Sequence, residues 1–211
     1  MSYKWFGELP EHWESKRGIA LFKENKAKNS ALTHTLLLQF TYGDIVRKPN
    51  QNITDADIEI IKKYTIVKPN DIVVNGLNLN YDFVTQRVGR VTEEGIITSA
   101  YVILRCNDSY NPLYATYMLK ALDAQKIFHG MGNGLRLTLN YSEFARQYFP
   151  LPPRDEQDAI VRYLDDKCSK IDRAINLKRK QIKLWQEYKA RLISDVVTGQ
   201  LDGRGVNVNG N

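Results

Sequence analysis

Between Pro153 and Gly199 the chain contains neither proline nor glycine. That run constrains the fold more than any other feature, because only a long helix uses so many residues without a turn. The reading is one helix of about 40 residues, from Asp155 to Val197, roughly 60 Å long at 1.5 Å per residue. Asp155 and Glu156 sit in its first turn, where they complement the helix dipole. Gly199 stands where a C-terminal cap is expected. Apolar residues recur every three or four positions: Val161, Leu164, Cys168, Ile171, Ile175, Ile182, Trp185, Leu192 and Val196. This is close to a heptad seam, interrupted by Lys178 and Lys189. A helix of this length cannot bury its stripe on a domain that ends at its base. It needs a partner helix. The chain before it offers no second helix of comparable length, so the expected partner is intermolecular. The alternative is a shorter, broken helix folding back on the preceding part.

Before Pro150-Leu-Pro-Pro153 the character is different: strand-like pieces alternate with turns. Leu32 to Phe40 reads as a strand closed by the turn residues Tyr42-Gly43-Asp44. Asp55 to Tyr64 suits a short helix capped by Thr54 or Asp55. Lys68 to Asp71 is a turn, followed by a buried strand at Ile72 to Val74. Arg87 to Val91 and Ile96 to Arg105 read as two more strands, separated by the turn Glu93-Glu-Gly95. Asn111-Pro112 starts a helix running to about Phe128, with Pro in its first turn. A glycine-rich loop follows, from His129 to Arg136. The expected fold is therefore α+β, a mixed α/β domain over residues 1–152, a long coiled-coil helix over 153–199 and a flexible tail over 200–211.

Composition narrows the function. With 43% hydrophobic and 26% charged residues over 211, the chain is globular rather than disordered. No apolar run approaches the roughly 20 residues that span a bilayer, and the first residues lack the core of a signal peptide. Two cysteines cannot build a disulfide framework and point to a reducing, cytoplasmic setting. Thirty Lys and Arg against 24 Asp and Glu give a net charge of +6, a reason to look for nucleic acid.

Catalytic motifs are weak. Asn111-Pro-Leu-Tyr114 is one residue away from the Asn-Pro-Pro-Tyr/Phe motif of amino-methyltransferases. The surrounding chain lacks the doubly wound pattern of those enzymes, so the segment reads as a helix start with Tyr114 packed inward. The loop Gly130-Met-Gly-Asn-Gly134 follows a helix rather than a strand, which does not set up a phosphate site. His12, His34 and His129 show no metal-ligand spacing. Asp44 and Asp71 have no obvious companion carboxylate. Binding chemistry is richer. Asn78, Asn80 and Tyr81 lie in one turn, and Gln86 and Arg87 follow; amide and guanidinium side chains on loops are suited to base edges. Asn133 and Arg136 lie in the glycine loop, and Lys48 in another turn is a candidate phosphate contact.

At the domain junction the sequence resembles a known family. Phe149-Pro-Leu-Pro-Pro-Arg-Asp-Glu-Gln-Asp-Ala-Ile160 resembles the Leu-Pro-Pro-x-x-Glu-Gln-x-x-Ile junction of the specificity subunits of type I restriction-modification systems. Tyr163-Leu-Asp, Lys170-Ile-Asp172 and Leu192-Ile-Ser-Asp-Val-Val-Thr-Gly199 match that family's conserved helix. Gly7-Glu-Leu-Pro-Glu-His-Trp13, Gly132 to Arg136 and Tyr141 to Phe144 are similar to the start and close of its target-recognition domain.

The resemblance implies a non-catalytic subunit that binds double-stranded DNA and directs partners. A typical member has two recognition domains and two long antiparallel helices, which read the halves of a split site and hold adenine-N6 methyltransferase subunits. A motor and restriction subunit joins for cleavage. S-adenosylmethionine would belong to the methyltransferase, ATP and Mg²⁺ to the motor, and no cofactor to this chain. One recognition domain and one helix resemble half of such a subunit. That implies self-association through antiparallel helices and a palindromic interrupted site, pairing with a different half, or a fragment of a longer chain. On this reading Leu164, Ile171, Ile175, Ile182, Trp185 and Leu192 form the pairing face, and the setting is a prokaryotic cytoplasm. The rivals are a coiled-coil adaptor without sequence-specific DNA binding and a stand-alone DNA methyltransferase or nuclease.

Overall fold

The structure is a computed structural model and describes residues 6–49, 51–81, 86–131 and 137–201. The expectations for Asn133, Arg136 and the tail from 202 onward lie outside these residues. The chain divides into two units, Met1–Val161 and Arg162–Asn211.

The first unit begins with β1 (Glu14–Arg17), the short turn of helix α1 (Gly18–Leu21) and β2 (Phe22–Glu24). A hairpin follows, β3 (Leu38–Thr41) and β4 (Asp44–Arg47), then α2 (Asp55–Ile61), β5 (Thr65–Val67) and β6 (Ile72–Val74). After a 3-10 turn at Leu79–Tyr81 come β7 (Val88–Arg90), β8 (Gly95–Ile97) and β9 (Val102–Cys106). Helices α3 (Pro112–Ala124), α4 (Ile127–Met131) and α5 (Tyr141–Arg146) lead to β10 (Tyr148–Leu151) and to α6 (Arg154–Val197).

The central sheet is antiparallel with strand order β2-β9-β6-β7. Its inner strand β6 is apolar and buried at all three residues, as a strand covered on both faces must be. Ile72, Val74, Val88 and Leu104 cluster with Tyr114, Met118 and Leu119 of α3. Val73 and Ile103 point into a second cluster with Leu38 and Ile45 of the hairpin, as the two-residue period of a strand requires. Strands β1 and β10 pair antiparallel, Glu14 opposite Leu151, so both ends of the domain meet in one ribbon. Gly18 lies against α5: an added Cβ would stand 2.0 Å from the Phe144 carbonyl oxygen.

Several expectations change. The strand over Leu32 to Phe40 shrinks to β3, because Leu32 has φ +54° and the Asn29 side chain holds both backbone groups of His34. Ile96 to Arg105 is two strands, β8 and β9, in different sheets. The helix expected to reach Phe128 breaks into α3 and α4 at Lys126, where φ is +60°. Helix α5 and strand β10 were not expected. Helix α2 does start as read, on a capping box between Thr54 and Asp57.

Helix α6 matches its expected extent. Its first turns belong to the first unit, because the domain holds them. Gln157 is fully buried. Its amide accepts from the Asn111 backbone N–H at 2.7 Å and donates to the Ser109 and Pro152 carbonyls at 3.0 and 2.9 Å. Glu156 accepts from the Trp13 indole at 2.9 Å and lies 2.7 Å from Nε2 of His12. These contacts hold its carboxyl below the usual range. The Glu-Gln pair of the junction is thus a clamp at the helix root. In the second unit the stripe is open to solvent: Ile171 and Ile182 are 57% exposed and Trp185 70%. Among the described residues no helix is long and apolar enough to cross a membrane.

Candidate nucleic-acid interface

Three pieces of chain converge on one edge of the domain. The first is the segment after β6. Gly76 lies against Leu139, where an added Cβ would stand 2.3 Å from its carbonyl oxygen. That closeness lets Leu139 N–H donate to Gly76 at 2.9 Å and Leu79 N–H to Leu137 at 3.1 Å. Leu79 is fully buried, while its neighbours Asn78 and Asn80 are exposed. One apolar anchor thereby turns two amides outward.

The second piece is Gln86 and Arg87. Gln86 is exposed, with φ +113°. The structure gives Arg87 a different role from the base contact expected of it. It is only 9% exposed, and its guanidinium donates to the Asn75 and Leu77 carbonyls at 2.9 and 2.8 Å and to Asn78 at 3.4 Å. It braces the loop from within and leaves the outward face to the amides. Below it lies Asp123 of α3, a residue the sequence reading passed over. One oxygen, Oδ2, accepts the backbone N–H of both Gln86 and Arg87 at 2.7 Å. Asp123 is 2% exposed, and these donors offset part of the cost of burying its carboxylate, whose Oδ1 has no hydrogen-bond partner among the described residues. Its position within the helix carries no sequence signal for this task.

The third piece is the β3–β4 turn. Tyr42 has φ +47° and Gly43 φ +82°. A Cβ added to Gly43 would stand 3.4 Å from Cβ of Gln86, so the turn lies against the second piece.

The structure therefore brings Asn78, Asn80, Gln86 and Arg87 together. Tyr81 ends the 3-10 turn in the same segment. Lys48 is exposed but follows the far end of β4 from the turn, roughly 13 Å along the strand. Its neighbour Arg47 is bidentate on Glu93, with contacts of 2.6 and 2.9 Å.

Among the described residues, the catalytic candidates read from the sequence do not come together. Asn111 caps α3, accepting from Leu113 and Tyr114 N–H, and Tyr114 is buried. Asp71 is buried in an ion pair with Arg105 at 2.7 Å, which raises the guanidinium pKa. Burial and the nearby Asp71 push the Cys106 thiol up to about 12, too high for a nucleophile at neutral pH. Among the described residues no cluster of three or more His, Cys, Asp or Glu side chains could hold a metal.

No protein-family model matches the chain. The specificity subunit of the type I restriction enzyme MjaVIII from Methanocaldococcus jannaschii is 27% identical over 194 residues. That match covers 90% of this chain and 43% of the relative, so the chain spans less than half its length. The crystal structure of an HsdS subunit from Thermoanaerobacter tengcongensis superposes with a TM-score of 0.61 at 13% identity, covering 99% of this chain and 54% of that one. The S subunit from M. genitalium gives 0.53 at 18% identity, over 89% and 48%. A chain from work on complex assembly and conformational transition of the type I R-M system gives 0.58 at 18%, over 87% and 44%. In sequence and in fold, the chain is thus similar to half of a type I restriction-modification specificity subunit.

Proposed function

We propose that this chain is a non-catalytic DNA-specificity component of a type I restriction-modification system. The first unit reads one part of a split duplex site. Helix α6 pairs with a second helix of its kind and provides the platform for an adenine-N6 methyltransferase and a motor and restriction subunit. S-adenosylmethionine, ATP and Mg²⁺ act on those partners in a prokaryotic cytoplasm.

The observation that carries this reading is a single sequence match, to the MjaVIII specificity subunit, over 90% of the chain. The geometry supports it. Asn78, Asn80 and Gln86 stand exposed on one braced edge, and amides of this kind bond adenine N6 and N7 in pairs. Net charge +6 favours approach to phosphates. The open stripe of α6 supports the pairing role. Selection from a pool of duplexes with a randomised core tests the reading. The full chain is expected to enrich a defined base pattern, and Asn78→Ala is expected to relax one position of it. Enrichment of no pattern contradicts sequence recognition and favours an adaptor.

A further inference from the structure

Tyr42 occupies a position that its side chain does not suit. It is the first central residue of the two-residue turn between β3 and β4, with Thr41 paired to Asp44. Both central residues have positive φ, +47° at Tyr42 and +82° at Gly43. Turns of this kind favour Asn-Gly, because asparagine tolerates the left-handed region and a bulky side chain does not. Nothing inside the fold repays the strain, since Tyr42 is 80% exposed. Strained residues left exposed point to function rather than packing.

The neighbours indicate which function. Gly43 lies against Gln86, itself a non-glycine residue at φ +113°. A Cβ on Gly89 would stand 3.2 Å from the Gly43 carbonyl oxygen, so the turn rests on the start of β7. Asn78 and Leu137, both at positive φ, belong to the adjoining segments. Of the seven non-glycine residues with positive φ among the described residues, four, Tyr42, Asn78, Gln86 and Leu137, thus lie along the edge that presents Asn78, Asn80 and Gln86.

We infer that Tyr42 is a DNA-contacting residue, whose ring packs against a base edge in the groove of the bound duplex, such as a thymine methyl, beside the bases read by the amides. This inference rests on the DNA-recognition reading above. The hairpin holds the ring away from its own core, and the major groove of an intact duplex offers an apolar ring the thymine methyl.

The test uses the full chain and the duplex that it enriches from the randomised pool. Tyr42→Asn keeps the charge and supplies the residue the turn prefers. It should raise the melting temperature and weaken binding roughly tenfold, within the range for losing one direct base contact. Tyr42→Phe should bind as the wild type does, because the ring makes the contact. The salt dependence should not change in Tyr42→Asn, whereas Lys48→Ala should lower its slope by about one if Lys48 meets a phosphate. If Tyr42→Asn binds the selected duplex as tightly as the wild type, the inference is overturned while DNA recognition stands. A melting temperature lowered in Tyr42→Asn would also overturn it, because Tyr42 would then be a packing residue. If the wild type selects no duplex, the recognition reading fails and takes this inference with it.

Discussion

The sheet of the first unit and the helix of the second each carry a periodic apolar pattern, of period two in the strands and about 3.6 in the helix, and treat it differently. Ile72, Val74, Val88 and Leu104 are fully buried with Tyr114 and Leu119. On α6 the residues buried are Gln157 and Val161, both at the root. Ile171, Ile175, Ile182 and Trp185 keep between 42% and 70% of their surface. Periodicity therefore reports which face wants to be covered, and topology decides whether the chain can cover it. The strands of the first unit return on one another within short loops. A 44-residue helix leaves its origin behind and has no such return. An exposed apolar stripe of this extent supports the proposed pairing role.

The comparison can be broken at four points. Leu104→Ala opens a cavity in the central sheet and should destabilise the first unit by about 2–5 kcal/mol in thermal or urea unfolding. A change below about 1 kcal/mol would mean the core is not closed as described. Gln157→Ala strands a buried N–H and two carbonyls at the helix root and should cost about 1–3 kcal/mol; an unshifted melting curve would remove the clamp. Ile175→Asp should leave the first unit's melting within about 0.5 kcal/mol, as exposed substitutions do. It should abolish self-association in light scattering, because it places a charge in the seam. A dimer that persists would place the partner surface elsewhere.

The smallest effect concerns pH. The Glu156 carboxyl is held below its usual range by the Trp13 indole, then by His12. A depressed carboxylate pKa contributes stability that is present above the unfolded value near 4.5 and is lost as pH falls through the folded value. Glu156→Gln should therefore flatten the fall in melting temperature below about pH 4.5, the ordinary carboxyl range. An identical acid limb in wild type and variant would show that Glu156 contributes nothing to the root.

The long helix was legible because its signal is local: no Pro or Gly, acids at the start and a repeating stripe. Helix α2 was legible for the same reason, through Thr54 and its capping box. Helix α5 carried the same signal, Asn140 with Glu143 three residues on, and could have been found from it. The pairing of β1 with β10 could not, because it joins residues more than 130 positions apart. At the candidate interface, loop chemistry singled out Asn78, Asn80 and Gln86, which the fold leaves exposed. It assigned Arg87 the wrong duty, since side-chain type does not say whether a guanidinium faces solvent or three carbonyls. Asp123 and Tyr42 became visible only once distant segments were set side by side.

The most direct measurement is a genome-wide map of N6-methyladenine in cells expressing this chain with a type I methyltransferase subunit. The account predicts a split motif that disappears when the chain is deleted and loses stringency with Asn78→Ala. A methylation pattern indifferent to the chain would contradict it.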